Sequence, residues 1–366
     1  MRPLAITSIA VRGLRNLAAV DLAPGPRFNV FAGDNGQGKT NFLEAVYLFA
    51  TSKSFRASKP GELVAHGGET ASVRGVVDED GLTREQSAGV KHGARLVRID
   101  GKRPATLAAY AVRTPVVAFH PGEVALSMGS SGERRRLLDR IALYVWPASM
   151  GELESYVRAV RERQKALETR GVGATDLDHW EELIVRHGHA VSLARRRAAD
   201  RLALAAEASF AQIGAPGLKL RVAYAPGAPD GTQPFRDALA SRRAADLRRG
   251  GATVGPHRDD LSLTLGEHPV RGVASQGQHR AVVLALKAGE VEVVGEARGV
   301  RPILLLDDVS SELDRARTAA LFAFLQGHRG QVFLTTTRPE LIDTGQLSDA
   351  AHRRDFSVVS GQIDAI

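Results

Sequence analysis

Near the start of the chain, Gly33 to Thr40 reads GDNGQGKT and fills every fixed position of the pattern G-x-x-x-x-G-K-[ST]. No other stretch restricts the fold as strongly. A loop that turns its backbone N–H groups inward onto phosphate needs glycine where a Cβ would be penalised, and Gly33, Gly36 and Gly38 supply it. Asp34, Asn35 and Gln37 complete the loop. Lys39 reaches the β- and γ-phosphates as a compact point charge, and the Thr40 hydroxyl can take one Mg²⁺ position. Phe28 to Phe31 is a short apolar run of strand type just before the loop. Asn41 to Ala50 follows as an apolar-rich helix whose N-terminus points at the phosphates. Strand, loop and helix in that order call for an α/β domain.

The partner of such a loop is a buried strand ending in carboxylate. Ile303-Leu304-Leu305-Leu306-Asp307-Asp308 has that form, and ligands sit beyond the carboxyl ends of parallel strands. Asp307 is expected to hold Mg²⁺, directly or through water, and Asp308 to orient or deprotonate the attacking water. By itself the pair reads equally well as a strand-end turn; beside a complete phosphate loop it reads as a nucleotide site.

At 366 residues the chain has room for two domains. Apolar content of 43% and charged content of 25% fit a globular protein. The absence of cysteine excludes disulfides, thiolate metal sites and a cysteine nucleophile, and fits the cytoplasm. Arg12 and Arg15 interrupt the apolar residues of the N-terminus, and no stretch approaches a membrane span, so no membrane partner is expected. The net charge of +8 and pI near 10.0 draw polyanions by counterion release, which makes nucleic acid the first partner to consider. With only 5% aromatic residues, contact with duplex backbone is favoured over stacking on splayed bases.

Residues 4–32 and 71–119 read as short strands, with Asp80-Gly81 and Asp100-Gly101 as turn pairs. From Glu133 to about Gln212 the period is helical. Leu153, Tyr156, Val157, Val160, Gln164 and Leu167 share one face, and Gly171 to Ala174 is a turn. Asp178 with Glu181 suggests a capping box, and Trp180, Leu183, Ile184, His187, Val191, Ala194, Ala198 and Leu202 share a face of the next helix. Pro226 to Gln233 is read as the return linker. The expected domains are therefore residues 1–120 with 251–366, and a mainly helical insert over 121–250. That insert, roughly 130 residues, is too short for a long coiled-coil arm. Arginine clusters ride on it: Arg134-Arg135-Arg136, Arg195-Arg196-Arg197, Arg242-Arg243 and Arg248-Arg249. A solvated helix face explains any one cluster; four in one segment suggest contact with phosphate backbone.

Lys39 and Asp307 are separated by most of the chain, whereas simple phosphate-loop NTPases place these elements closer together. Between them Ser275-Gln276-Gly277-Gln278 opens a helix. The hydroxyl of Ser275, the backbone at Gly277 and Gln278, and the helix dipole make an anion site. Lys39 already serves the phosphates of its own subunit, so this second site suits the γ-phosphate of ATP bound to another copy. That is the logic of an ABC-type ATPase head: an ATP-dependent homodimer sandwiching two nucleotides.

The strings GDNGQGKTNFLEAVYL, Ser54-Phe55-Arg56, TVGPHRDDL (Thr253 to Leu261), SQGQHRAVVLALKAGE and ILLLDDVSSELD occur in that order, and together they resemble the RecF family of bacterial DNA-repair ATPases. The resemblance runs nearly end to end, apart from the helical insert. It implies a head built from both chain ends, Mg·ATP-dependent dimerisation, and binding to DNA at duplexes and single-strand/double-strand junctions without sequence preference. It also implies work with RecR and RecO in loading RecA, and a loop Ser311-Glu312-Leu313-Asp314 that couples the two nucleotide sites. Three departures from transporter-type ATPases point to slow hydrolysis. The carboxylate pair is Asp-Asp, Thr335-Thr336-Thr337 follows the expected strand Val332-Phe333-Leu334 where a switch histidine would be, and no glutamine loop is evident near Phe119 to Glu123. His257 in GPHRDD reads as a structural histidine. The alternatives are a transporter ATPase subunit, which the arginine-rich insert argues against, and a nucleotide-gated scaffold of SMC type with incidental hydrolysis.

Overall fold

A computed structural model describes residues 1–214, 217–308, 315–342 and 352–366. The chain divides into two compact units, Met1–Glu123 with Glu290–Ile366, and Val124–Gly289. The second unit therefore continues to 289 instead of ending at 250, and Pro226 to Gln233 is not a return linker. The reason is strand pairing: Asp260–Leu265 is antiparallel to Leu220–Ala225, which ties residues after 250 to the insert.

The first unit holds two sheets. One has six strands in the order Gln362–Ala365, Arg353–Val359, Phe28–Ala32, Val332–Thr336, Ile303–Asp307 and Val116–Phe119. All neighbours are parallel except the first pair. The central strands are apolar throughout, as suits a sheet covered on both faces. The other sheet is antiparallel, with five strands in the order Leu17–Leu22, Leu4–Leu14, Thr70–Glu79, Leu82–Lys91 and Ala94–Ile99. Asp80-Gly81 turns one of its hairpins with φ of 57° and 83°, as a two-residue type I′ loop requires.

Helix Lys39–Thr51 packs against both sheets. Nine consecutive residues, Phe42 to Ala50, are buried, so this helix has no solvent face. Phe42, Leu43, Val46, Leu48 and Phe49 are fully buried, each contributing about 1.5–3 kcal/mol. Phe31, at the end of the strand before the phosphate loop, stacks on Phe356 at 4.7 Å and tilts against Phe42 at 4.5 Å. Loop and sheet are thus fixed by one aromatic cluster.

In the second unit, helices Ser149–Arg170 and Leu177–Ile213 are joined by a turn at Gly171, φ 78°, and Thr232–Arg249 packs on both. Two sequence expectations change here. Val157 is exposed, and the buried face carries Tyr156, Ala159, Arg163, Ala166 and Leu167. A fully buried arginine turned the helix away from its apolar pattern: Arg163 meets Glu181 at 2.9 Å, Asp246 at 2.7 Å and the Leu239 carbonyl at 2.9 Å. Glu181 is therefore a core ion partner and not half of a capping box; the N-cap position is Asp176.

The GPHRDD stretch is a structural knot. Asp259, fully buried, accepts from Arg195 at 3.0 Å, the Tyr224 hydroxyl at 2.7 Å and the Gly227 amide at 2.8 Å. Asp260 takes a bidentate pair from Arg134 at 2.6 and 2.9 Å. His257 Nε2 bonds the Ala252 carbonyl, which leaves Nδ1 to accept from the Tyr156 hydroxyl at 2.5 Å. Burial keeps that imidazole neutral by pushing its pKa down.

Candidate functional site

The phosphate loop leaves strand Phe28–Ala32 and enters helix Lys39–Thr51 through Gly38, at φ 117°. A Cβ on Gly38 would stand 2.9 Å from Asn16 Oδ1, and one on Gly33 would meet the Val358 carbonyl oxygen. Gly36 sits at φ 80° in open space, so its need for glycine is purely conformational. Lys39 Nζ bonds the carbonyls of Gly33 at 2.6 Å and Asp34 at 2.8 Å, which holds the ammonium within the loop. Burial lowers its pKa, opposed by the carboxylates of Asp308, Asp307 and Asp34.

Strand order brings the two halves of the site together. Val332–Thr336 lies between the loop-bearing strand and Ile303–Asp307, with Thr335 in register with both Phe31 and Asp307. Thr40 Oγ1 donates to Asp307 Oδ1 at 2.8 Å, and Thr335 Oγ1 donates to the same oxygen at 2.9 Å. Asp308 then turns through a left-handed φ of 47°, its amide donating to Thr335 Oγ1 at 3.0 Å. Thr335 and Thr336 are inside the strand and fully buried rather than beyond its end. The oxygens of Thr40 and Asp307 suit Mg²⁺, which prefers one or two carboxylates and retained waters to an all-protein cage. Among the described residues no cluster of three or more His, Asp or Glu competes with them for a metal.

Gln37 and Asn41, expected from the sequence at the nucleotide, are each fastened in place, and Asn16, Arg15 and Glu44 join them without having been legible as site residues. Gln37 fastens the loop: its Oε1 accepts from the Ser360 amide at 2.6 Å and its carbonyl from the Gly361 amide at 2.8 Å. Asn41 bonds Asn16 Oδ1 at 2.7 Å through Nδ2 and accepts from Arg56 at 2.6 Å. Behind them Glu44, fully buried, takes Arg15 at 2.9 Å, Arg56 at 2.6 Å and the Ser54 hydroxyl. Burial acts to raise the Glu44 pKa, but the hydrogen bonds from Arg15, Arg56 and Ser54 outweigh it and hold it below the ordinary value. The Ser-Phe-Arg string was the one signal that could have pointed here. Phe55 stacks on His120 at 5.0 Å, and His120 follows the strand residue paired with Leu306.

In the other unit, Ser275, Gly277 and Gln278 stand at the start of helix Gln276–Arg298. The Gln278 amide donates to Ser275 Oγ at 3.2 Å, and the Ser275 amide donates to Gln278 Oε1 at 2.7 Å. This reciprocal box satisfies two helix-end donors and fixes the exposed Ser275 at the positive end of the helix. Ser311 to Asp314 lies outside the described residues.

The sequence profile of the RecF/RecN/SMC N terminal domain matches residues 5–354. The chain is 42% identical to the DNA replication and repair protein RecF of Anaeromyxobacter sp. (strain Fw109-5), over 99% of both chains. It is 38% identical to that of Myxococcus xanthus (strain DK1622), over 92% of each. Among solved structures it is similar to the recombination mediator protein RecF with ATP in the RecFOR pathway, at TM-score 0.87 and 26% identity over 100% of both chains. It shares the fold of the Smc head domain of Pyrococcus furiosus, at TM-score 0.55 and 16% identity, over 99% of this chain and 96% of that one.

Proposed function

The chain belongs to the RecF family, and from that membership we propose that it is an ATP-dependent DNA-binding protein of recombinational repair at single-strand gaps, with weak DNA-dependent ATPase activity. The observation that carries this reading is the contact of Thr40 with Asp307, which joins a phosphate loop to a magnesium-type carboxylate. In this reading residues 1–123 with 290–366 form the ATP-binding head. Backbone amides from Gly33 to Thr40 and the Lys39 ammonium hold the phosphates. Thr40 and Asp307 would hold Mg²⁺, which would supply charge neutralisation at the phosphate oxygens. Asp308 orients the attacking water.

Ser275, Gly277 and Gln278 of one copy reach the nucleotide of a second, so ATP favours the homodimer because the partner's contacts exist only in that state. Dimers then close on duplex or gapped DNA, and hydrolysis releases them. RecR, RecO and RecA are the partners of this role, and the cytoplasm its place; no described helix is long and apolar enough to cross a membrane. Family membership sets aside the transporter-subunit reading.

The test is a sizing run of wild type and Ser275→Arg with Mg·ATP and gapped duplex. Wild type should dimerise only with ATP, and the variant should bind ATP yet stay monomeric. ATP-induced dimers of the variant would overturn the two-sided nucleotide site.

A further inference from the structure

The clustered arginines of the helical unit are not alike: Arg136 and Arg196 make surface ion pairs with Glu133 and Asp230, and Arg197 is exposed. Arg134, Arg135, Arg163, Arg195 and Arg243 are bound internally to carboxylates or carbonyls, so they are not available to a partner. Arg242, Arg248 and Arg249 on helix Thr232–Arg249 are exposed and pair with no carboxylate among the described residues.

These three share one arc of the helix. Arg242 and Arg249 are seven residues apart, two turns or about 10.5 Å along the axis, and Arg248 lies beside Ser241 about 100° round the helix to one side of that line. Between them the surface offers Ala245, and no exposed carboxylate occurs from 238 to 249, since Asp246 is buried on Arg163 and Thr253. Small side chains let a large polyanion approach the helix while the guanidinium groups reach outward. A span of about 10.5 Å matches three steps of roughly 3.4 Å along one strand of duplex.

We propose that this face of helix Thr232–Arg249 docks the phosphate backbone of duplex DNA through Arg242, Arg248 and Arg249. The proposal rests on the reading above that DNA is the partner, and it names the surface. An anionic membrane is the poorer fit, because the arc carries no large apolar residue to insert. Single-strand stacking is poorer too: among the described residues no Phe, Tyr or Trp is an exposed large hydrophobic.

The test compares wild type, R242A/R248A/R249A and R242K/R248K/R249K for affinity to a duplex over a range of salt, with Mg·ATP. Three lost phosphate contacts at about 0.9 each should flatten the slope of log affinity against log salt by about 2.7. A fourfold rise in salt should then weaken the alanine variant about 40-fold less than wild type. The lysine variant should keep the wild-type slope. An unchanged slope in the alanine variant, with its circular dichroism and melting intact, would overturn the proposal while leaving DNA binding standing. So would an equal flattening by the charge-matched K91A/K102A/R103A, or binding of anionic phospholipid vesicles in place of duplex. Failure of wild type to bind duplex at any salt would instead sink the DNA reading itself.

Discussion

Thr40 and Asp307, 267 positions apart in sequence, are 2.8 Å apart in the fold, and Thr335 bonds the same carboxylate oxygen from the strand between them. A loop residue, a strand-end acid and an interposed hydroxyl therefore form one unit. The Asp307 carboxylate is aimed by two hydroxyls, and Thr335 also receives the Asp308 amide, so a single buried side chain sets both acids.

If Thr40 and Asp307 hold Mg²⁺ as proposed, Thr335→Val should disturb that site and leave the phosphate loop as it is. Losing an outer-shell partner of a metal ligand typically costs about 10- to 100-fold in metal affinity or activity. The Mg²⁺ concentration for half-maximal ATP hydrolysis should rise by that factor, while metal-free ATP binding stays unchanged. Thr335→Ser should restore the wild-type titration. Identical Mg²⁺ curves for wild type and the valine variant would refute this role.

The parts of the site that could be read from sequence are those whose chemistry is written in contiguous residues. Gly33 to Thr40 must be together to wrap a phosphate, and Ile303 to Asp308 must be together to end a buried strand in acid. What could not be read is long-range pairing. Thr335 looked like the residue after a strand because its hydroxyl gives no hint of being buried against Asp307. Arg163 broke the apolar stripe of its helix for the same reason, being a charge whose partners, Glu181 and Asp246, lie elsewhere in the chain. The arginine clusters misled most: Arg134 and Arg195 read as basic surface and are core ion partners. The domain boundary at 250 failed because strand Asp260–Leu265 pairs backwards in sequence, a choice that its alternating pattern does not encode.

Glu44→Gln should destabilise the protein. Breaking a buried pair costs about 3–5 kcal/mol, and the arginine side chains here are 29% and 36% exposed, so solvent screening reduces this to about 2–3 kcal/mol. The folded pKa of Glu44 is depressed, so its contribution is complete above the unfolded value near 4.5 and is lost as pH falls through the lower folded value. The stability gap between wild type and variant, from urea unfolding, should be flat at neutral pH and close on acidification below about 4.5. A gap that widens in acid contradicts the pairing.

Arg195→Ala should unfold the helical unit without revealing a DNA contact. It leaves Asp139 and Asp259 without their shared partner, at a cost of about 3–5 kcal/mol. Arg195→Lys should recover little, because a single ammonium cannot replace the forked guanidinium that bonds Asp139, Asp259 and the Pro256 carbonyl together. Below the melting range of Arg195→Lys, its affinity for duplex and its salt slope should match wild type. A flattened slope in that folded variant would assign Arg195 to the DNA surface after all.

Asp308 and Lys39 should pull DNA residence in opposite directions. Lys39 lies within the phosphate loop on the carbonyls of Gly33 and Asp34, so Lys39→Met removes the cation that β- and γ-phosphates require. ATP should then fail to prolong the stay on DNA. Asp308 follows Asp307 through a left-handed turn at the strand end, where a carboxylate can orient water. Asp308→Asn should keep ATP binding and slow hydrolysis about 100-fold or more, within the range set by general-base catalysis. If hydrolysis is what frees the protein from DNA, dissociation measured by competitor chase should slow with it. Equal dissociation rates for wild type and Asp308→Asn, alongside a confirmed loss of hydrolysis, would separate ATP turnover from release and leave nucleotide binding alone as the control on DNA.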